Sequence, residues 1–464
     1  MMRRVFNRLI AVLVLLSSAA GPAGGRDSRF TRKGTGPQYW IAYEYCYDFN
    51  IPIPEQRWKD NIDWMAENFR DYGYDMISND GWIEAAQTIN RNGYITKYNS
   101  SWQHGFEYWN RYIRSKGMQV GIYYNPMWMT RTAYEKDCKV KGSGHTTREI
   151  VGDKWFNSEL YWVDVDKPGA EEWVKGYVRY FKDLGAVFLR VDFLENYERN
   201  YGTERYEKAL RWIMEAAGED MLISLVMPNC YNHARTELPY GDMMRIDNDC
   251  FAGGWDFASA RGRGQKRDHW PQYDNAFDGF VAFSDVAAKG QMIMDGDFMR
   301  LNTMADDAER EFLFSLMVMA GSPLCIADQY DTIGDAAYVY QNEELIELNR
   351  SGFIGKPMSR DIHDINSSRW VGQLPDGDFV VGLFNREDEA LEYGIDFCTE
   401  LGIEEGKVKN VRDLWAHEDI GPMSGMYKVL LPPHACRIIR ITPEGPVRFQ
   451  AEYGSMTGGV IDNR

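Results

Sequence analysis

Histidine is scarce, seven in 464 residues, and cysteine equally so, seven scattered with no CxxC and no Cys/His pair at metal-ligand spacing. Neither a structural zinc site nor a disulfide framework is written into such a chain, and an odd, sparse set predicts mostly buried thiols and no metal. Basic charge is also in deficit. Lys and Arg number 52 against 69 Asp and Glu, a net charge of −17, and no basic run offers a foothold to nucleic acid or an acidic membrane surface. No GxGxxG follows the first strand candidate, so a dinucleotide cradle is excluded and no cofactor is expected. Past the amino terminus, nothing approaches the roughly 18 uncharged apolar residues of a membrane span. The apolar run Leu9–Leu16, behind Arg3, Arg4 and Arg8 and ahead of Ser17-Ser18-Ala19-Ala20-Gly21, is too short for one. It reads as a secretory signal over residues 1–20, which predicts a secreted or periplasmic protein without membrane insertion.

Aromatic residues, by contrast, are plentiful at 14%. They suit a large core, and equally a cleft for a neutral sugar, whose C–H faces stack on flat rings. From Gln38 onward, strand-like runs alternate with stretches of helical period, the pattern of βα units. The strand candidates are Tyr39–Cys46, Tyr74–Asp80, Gln119–Asn125, Ala186–Glu195, Met221–Pro228, Asp242–Asp249, Gln291–Phe298 and Ser322–Asp328. Helices are expected over Gln56–Tyr72, His104–Lys116, Pro168–Leu184, Thr203–Ala217, Thr303–Ala320 and Ala336–Arg350. Gly73, Gly117, Gly185, Gly218 and Gly241 each precede a strand, where a left-handed helix cap is expected. Eight strands at about 40 residues per unit predict a (β/α)8 TIM barrel over 38–350 rather than an open sheet. After Ser351, short alternating runs between turns such as Pro375-Asp376-Gly377 predict an antiparallel β-sandwich over 351–445. Residues 446–464 read as a tail.

Catalytic groups of such barrels sit where strands end. Four candidates end in acids: Asn79-Asp80, Asp192 with Glu195 beyond it, Asp247-Asn248-Asp249, and Asp295-Gly296-Asp297. Converging on one rim, they would repel one another, which splits carboxyl pKa values into an acid and a base. A metal-dependent lyase would want histidines there, and no histidine ends a strand. Glycoside hydrolysis wants two carboxyls and aromatic walls, and Trp40, Tyr43, Trp82, Tyr123, Trp128 and Trp255 lie beside the same strand ends.

Six segments, in order, resemble glycoside hydrolase family 27, the α-galactosidase and α-N-acetylgalactosaminidase family. They are Asp71-Tyr72-Gly73-Tyr74 running into Asn79-Asp80-Gly81-Trp82, Ser115-Lys116-Gly117-Met118 into Gly121-Ile122-Tyr123, Phe188-Leu189-Arg190-Val191-Asp192, Arg245 four residues before Asp249, Asp295-Gly296-Asp297-Phe298-Met299, and Met319-Ala320-Gly321-Ser322-Pro323-Leu324. The resemblance implies a retaining exo-α-glycosidase, with α-galactosidase as the leading activity. It places the nucleophile at Asp192 and the acid/base at Asp249, with sugar contacts from Asp80, Tyr123, Arg245 and Asp297, to which Trp40, Tyr43, Asn79 and Arg190 are added as substrate-binding candidates. Arg190 is expected to hold Asp192 ionised and Asp247 to raise Asp249. The two catalytic carboxyls are expected at roughly 5–5.5 Å.

Departures from the family pattern bear on the sugar. Asn79 stands where the family pairs two aspartates, Arg190 replaces a lysine, Leu194 replaces a cysteine, and Ser224–Pro228 offers no counterpart of the strand-five glutamate. Hydrolysis is therefore better supported than galactose. An α-N-acetylgalactosaminide, a β-L-arabinopyranoside or an α-glucoside remains open, as does a non-catalytic glycan-binding protein. The expected partner is a carbohydrate, and the oligomeric state is left open.

Overall fold

The computed structural model describes residues 36–228, 234–266, 273–287 and 292–447, and the backbone of two short paired strands, Ser455–Thr457 and Val460–Asp462. The apolar amino-terminal run lies outside the described residues.

Eight short strands lie where eight were expected: β1 Gln38–Ile41, β2 Met76–Ser78, β3 Gln119–Tyr123, β4 Ala186–Val191, β5 Leu222–Leu225, β6 Met243–Arg245, β7 Ile293–Asp295 and β8 Leu324–Ile326. They run parallel in the order β7-β6-β5-β4-β3-β2-β1-β8. A parallel bridge between Met299 and Ile326 closes the ring, with the Met299 N–H donating to Cys325 O at 2.8 Å and the Met299 carbonyl accepting from the Ala327 N–H at 3.0 Å. The barrel is thus a wound sheet without free edges. Helices Glu55–Asn68, Phe106–Ser115, Ala170–Asp183, Thr203–Ala217 and Asp307–Ala320 pack outside it. Four of the five glycines expected in caps are left-handed, among them Gly185 at φ 87°. Gly241 is the exception, where a Cβ would lie 2.6 Å from Leu225, so it serves close packing and not a turn.

Most strands stop short of their expected ends. Tyr43–Phe49 is a helix and not the continuation of β1. The aromatic alternation of Tyr43, Tyr45 and Tyr47 imitates a strand, but Glu44 is drawn inward to accept from Thr332 Oγ1 at 2.6 Å and Gln329 Nε2 at 3.1 Å, and this tertiary demand overrides local pattern. Between β3 and β4 the chain inserts a three-stranded antiparallel sheet, with Leu160–Val163 between Trp128–Thr130 and Val151–Trp155, which the assumption of even spacing concealed.

The carboxyl-terminal part carries β9 Lys356–Pro357, β10 Arg369–Gln373, β11 Phe379–Phe384, β12 Leu391–Asp396, β13 Val408–Asp413, β14 Glu418–Met423, β15 Met426–Leu431 and β16 Cys436–Pro443. A six-stranded sheet, β9-β10-β11-β16-β13-β14, faces the pair β12-β15. Phe379, Val381 and Leu383 point into the sandwich core, while Val380 and Phe384 join the barrel's own core. Burial on both faces accounts for an unbroken apolar run in β11. At its end Arg386, wholly buried, donates to Asp278 at 2.7 Å, Asn275 at 3.1 Å and the carbonyls of Ala258 and Ser259 at 2.8 and 2.9 Å. Arg386→Ala leaves Asp278 buried without its cation and is expected to lower stability by about 3–5 kcal/mol. Denaturant titration tests this: an unchanged midpoint would refute the pairing as a staple between the two parts.

Among the described residues no cysteine pairs, and only Cys250 and Cys325 are fully buried, so the expectation of mostly buried thiols is not met. Cys46, Cys138 and Cys436 are half-buried and Cys398 is exposed.

Candidate active site

The carboxyl ends of β2, β3, β4, β6 and β7 meet around one opening. Two arginines organise it from below. Arg190, on β4, points into the barrel and donates to Asp295 Oδ2 and Asp297 Oδ1, both at 3.3 Å, and to Tyr39 Oη at 3.3 Å, with its Nε 3.6 Å from Asp80. Arg245, ending β6, donates to Asp297 Oδ1 at 2.8 Å and lies 3.2 Å from Asp249 and 3.4 Å from Asp247. Against these two cations stand Asp80, Asp192, Asp247, Asp249, Asp295 and Asp297. Acid in excess, in a dry site, must raise carboxyl pKa values.

Asp192 follows the end of β4. Its Oδ2 accepts from Tyr123 Oη at 2.7 Å and its Oδ1 from the Phe193 N–H at 2.6 Å, while Asn125 Nδ2 donates to its backbone carbonyl at 2.7 Å. Burial raises its pKa, and Arg190, the two hydrogen bonds and Arg245 pull it back. Every one of those opposing groups favours the carboxylate, as a nucleophile requires. Asp249, about a quarter exposed at 26%, is pushed up to about 6 by burial and by the charges of Asp297 and Asp192, against Arg245 and Arg190. The carboxylates that raise it most are Asp297 and Asp192; Asp247, expected in that role, is turned inward on the Arg245 guanidinium. Asp80 is pushed up to about 8 by burial, with Asp192, Asp297 and Asp249 adding to it and Arg190 opposing.

The aromatic surroundings differ from expectation. Side chains alternate along a strand. Tyr39 takes the barrel interior, 5.4 Å from Phe188, so its neighbour Trp40 faces outward onto Trp58 at 5.7 Å, with its indole N–H on the carbonyl of Asp328 at 2.9 Å. Trp40 is wholly buried and is withdrawn as a sugar contact. Trp82, Trp128 and Trp255 are likewise buried; Trp128 braces Tyr123 and Phe193 at 6.3 and 6.0 Å from behind. Tyr43 keeps partial exposure, and its hydroxyl feels Asp249, Asp80 and Asp297.

Asn79 also changes role. Its Nδ2 donates to the carbonyl of Tyr123 at 3.2 Å and its Oδ1 accepts from the Tyr123 N–H at 2.9 Å. The amide is spent on positioning Tyr123, and a carboxylate there would set oxygen against the carbonyl. Asp297, fully buried and left-handed at φ 69°, has one oxygen on both arginines and the other on the Cys250 N–H at 2.7 Å. It sets the arginines rather than lining the opening. Left-handed non-glycine residues recur here: Phe193, Met227 and Asp297 each lie two positions past the ends of β4, β5 and β7, and Phe251 two past Asp249. A left-handed aromatic is costly, about 1–3 kcal/mol.

Two contributors escaped the sequence reading. Tyr39 was legible from strand alternation. Glu84 lies in the turn after β2, accepts from Asn157 of the inserted sheet's loop at 3.4 Å, and has its pKa raised by burial and by Asp192; nothing in the sequence brought residue 157 to it. Among the described residues, no cluster of His, Cys, Asp and Glu has the geometry of a metal site.

The family model for the alpha galactosidase C-terminal beta sandwich domain matches residues 365–441. The isomalto-dextranase of Arthrobacter globiformis is 46% identical over 464 residues, covering 94% of this chain and 72% of that protein. The structure of the isomalto-dextranase of Arthrobacter globiformis T6 complexed with panose superposes with a TM-score of 0.85 at 46% identity, over 92% of this chain and 76% of that one. A GH27 β-L-arabinopyranosidase from Geobacillus stearothermophilus shares the fold, with a TM-score of 0.71 at 18% identity over 90% and 98% of the two chains. The 46% identity to the isomalto-dextranase across nearly the whole chain settles what the strand-end motifs pointed to: the chain belongs to glycoside hydrolase family 27 and is a glycosidase acting on α-linked sugars.

Proposed function

We propose that this enzyme is an exported isomalto-dextranase, releasing isomaltose from the ends of α-1,6-linked glucan by a retaining mechanism. The observation that carries this reading over α-galactosidase is the 46% identity to an isomalto-dextranase over 94% of the chain. The turned-in amide of Asn79 agrees with it, since a site that has lost one of two acceptors for a hydroxyl loses selectivity for the sugar bearing it.

In the first step the Asp192 carboxylate attacks the anomeric carbon, the glycosidic C–O bond breaks, and Asp249 gives its proton to the departing oxygen. Tyr123 and the Phe193 N–H hold the attacking carboxylate in place. In the second step Asp249, now a base, takes a proton from water as that water attacks the same carbon and Asp192 departs. Two inversions give net retention. Glu84, whose carboxyl feels the Asp192 charge, is assigned to accept a hydrogen bond from a hydroxyl of the sugar on the non-reducing side of the cleaved bond.

Product analysis on dextran tests the reading. Isomaltose is expected as the released sugar, with kcat/KM on dextran at least about 100-fold above that on nitrophenyl α-galactoside, a discrimination within reach of one mispaired polar group. The reverse preference would restore the galactosidase reading.

A further inference from the structure

On the Asp249 side of the opening three rings lead outward. Tyr43, which feels the Asp249 charge, stacks on Tyr47 four residues along its helix, with centroids 6.0 Å apart and planes 23° apart. Tyr47 is 43% exposed and its centroid lies 6.4 Å from that of Phe251. Arg300, itself buried, sits 5.6 Å from the Tyr47 centroid. It donates to both oxygens of Asp48 at 2.9 and 3.0 Å, to the Phe251 carbonyl at 3.0 Å and to Glu44 at 3.4 Å. The guanidinium thus backs the Tyr47 ring and ties its helix to the loop that carries Asp249. A ring fixed beforehand loses little freedom on binding.

We propose that Tyr47 and Phe251, continuing from Tyr43, form a platform for the leaving-group portion of the glucan, one or more units past the cleaved bond. The departing oxygen must sit beside the acid that protonates it, so the chain leaves on the side of Asp249, where these rings stand. Pyranose C–H faces stack on such rings in any register, which suits a repeating polymer. The proposal rests on the assignment of Asp249 as acid/base and on the α-glucan reading.

The test compares dextran with α-isomaltosyl fluoride, whose one-atom leaving group cannot reach the platform. Tyr47→Ala should lower kcat/KM on dextran about five- to tenfold and on the fluoride less than about twofold, while Tyr47→Phe, which keeps the ring, stays near wild type on both. Phe251→Ala should follow Tyr47→Ala. With the fluoride as donor and isomaltose as acceptor, Tyr47→Ala should also shift the partition from transfer to hydrolysis by a similar factor. Equal losses on both substrates, or no loss on dextran, would overturn the platform. A wild type that spares dextran overturns the glucan reading alone. The platform is then judged by the same partition, using whichever α-glycosyl fluoride is turned over and isomaltose, maltose and melibiose as acceptors, and an unchanged partition in Tyr47→Ala refutes it.

Discussion

Asp192→Gly is expected to abolish turnover of every glycoside, whatever its leaving group, by about 10⁴-fold or more, because no covalent intermediate can then form. The glycine leaves a space beside Tyr123 Oη and the Phe193 N–H, two donors that now face an empty pocket. A small anion should fill it. Azide should therefore restore turnover of activated glycosides and yield a glycosyl azide of inverted configuration, since one displacement replaces two. Proton NMR of the product reads the configuration directly. Residual activity near wild type, or rescue without inversion, would remove Asp192 from the role of nucleophile.

Asp249→Ala should behave differently, because protonation of the departing oxygen matters most when that oxygen is a poor leaving group. Natural glycans should lose about 10²–10⁴-fold, whereas formation of the intermediate from a dinitrophenyl glycoside should be nearly preserved. The pH profile gives a second reading. Asp249 must carry a proton in the first step and its pKa is about 6, so kcat/KM for the wild type should fall as pH rises through that value. The variant lacks that group, so on the activated substrate the limb near pH 6 should disappear, leaving the later titration of Asp80, which is pushed up to about 8. Asp247→Asn is the control: if it shows the leaving-group dependence and Asp249→Ala does not, the acid/base stands two residues earlier.

How far the site could be read beforehand follows from which constraints are local. Strand-like apolar runs, five of them preceded by glycine, marked all eight barrel strands, and acids at strand ends marked the rim, because strand ends and rim coincide in this architecture. What failed depended on distant partners. Glu44 bends the chain after β1 into a helix through contacts with residues 329 and 332, and no window around residue 44 contains them. Trp40 was misassigned by ignoring which face of β1 meets the barrel, an error that the position of Tyr39 could have prevented. Asn79 was assigned to the sugar by its place in a family motif, yet its side chain is committed to a backbone 44 residues away. Sequence similarity transfers a position more safely than a contact.

The left-handed residues past β4, β5 and β7 have a consequence for how this barrel can change. Among the described barrel residues, left-handed non-glycine backbone is gathered in the segments that follow the strands at the working end. Selection for heat resistance would find easy gains in relieving Phe193 or Met227, and each gain would loosen the donor or the loop that aims a reacting group. Substitutions at the far end carry no such penalty, so durability and turnover can be improved separately only if they are sought at opposite ends of the same barrel.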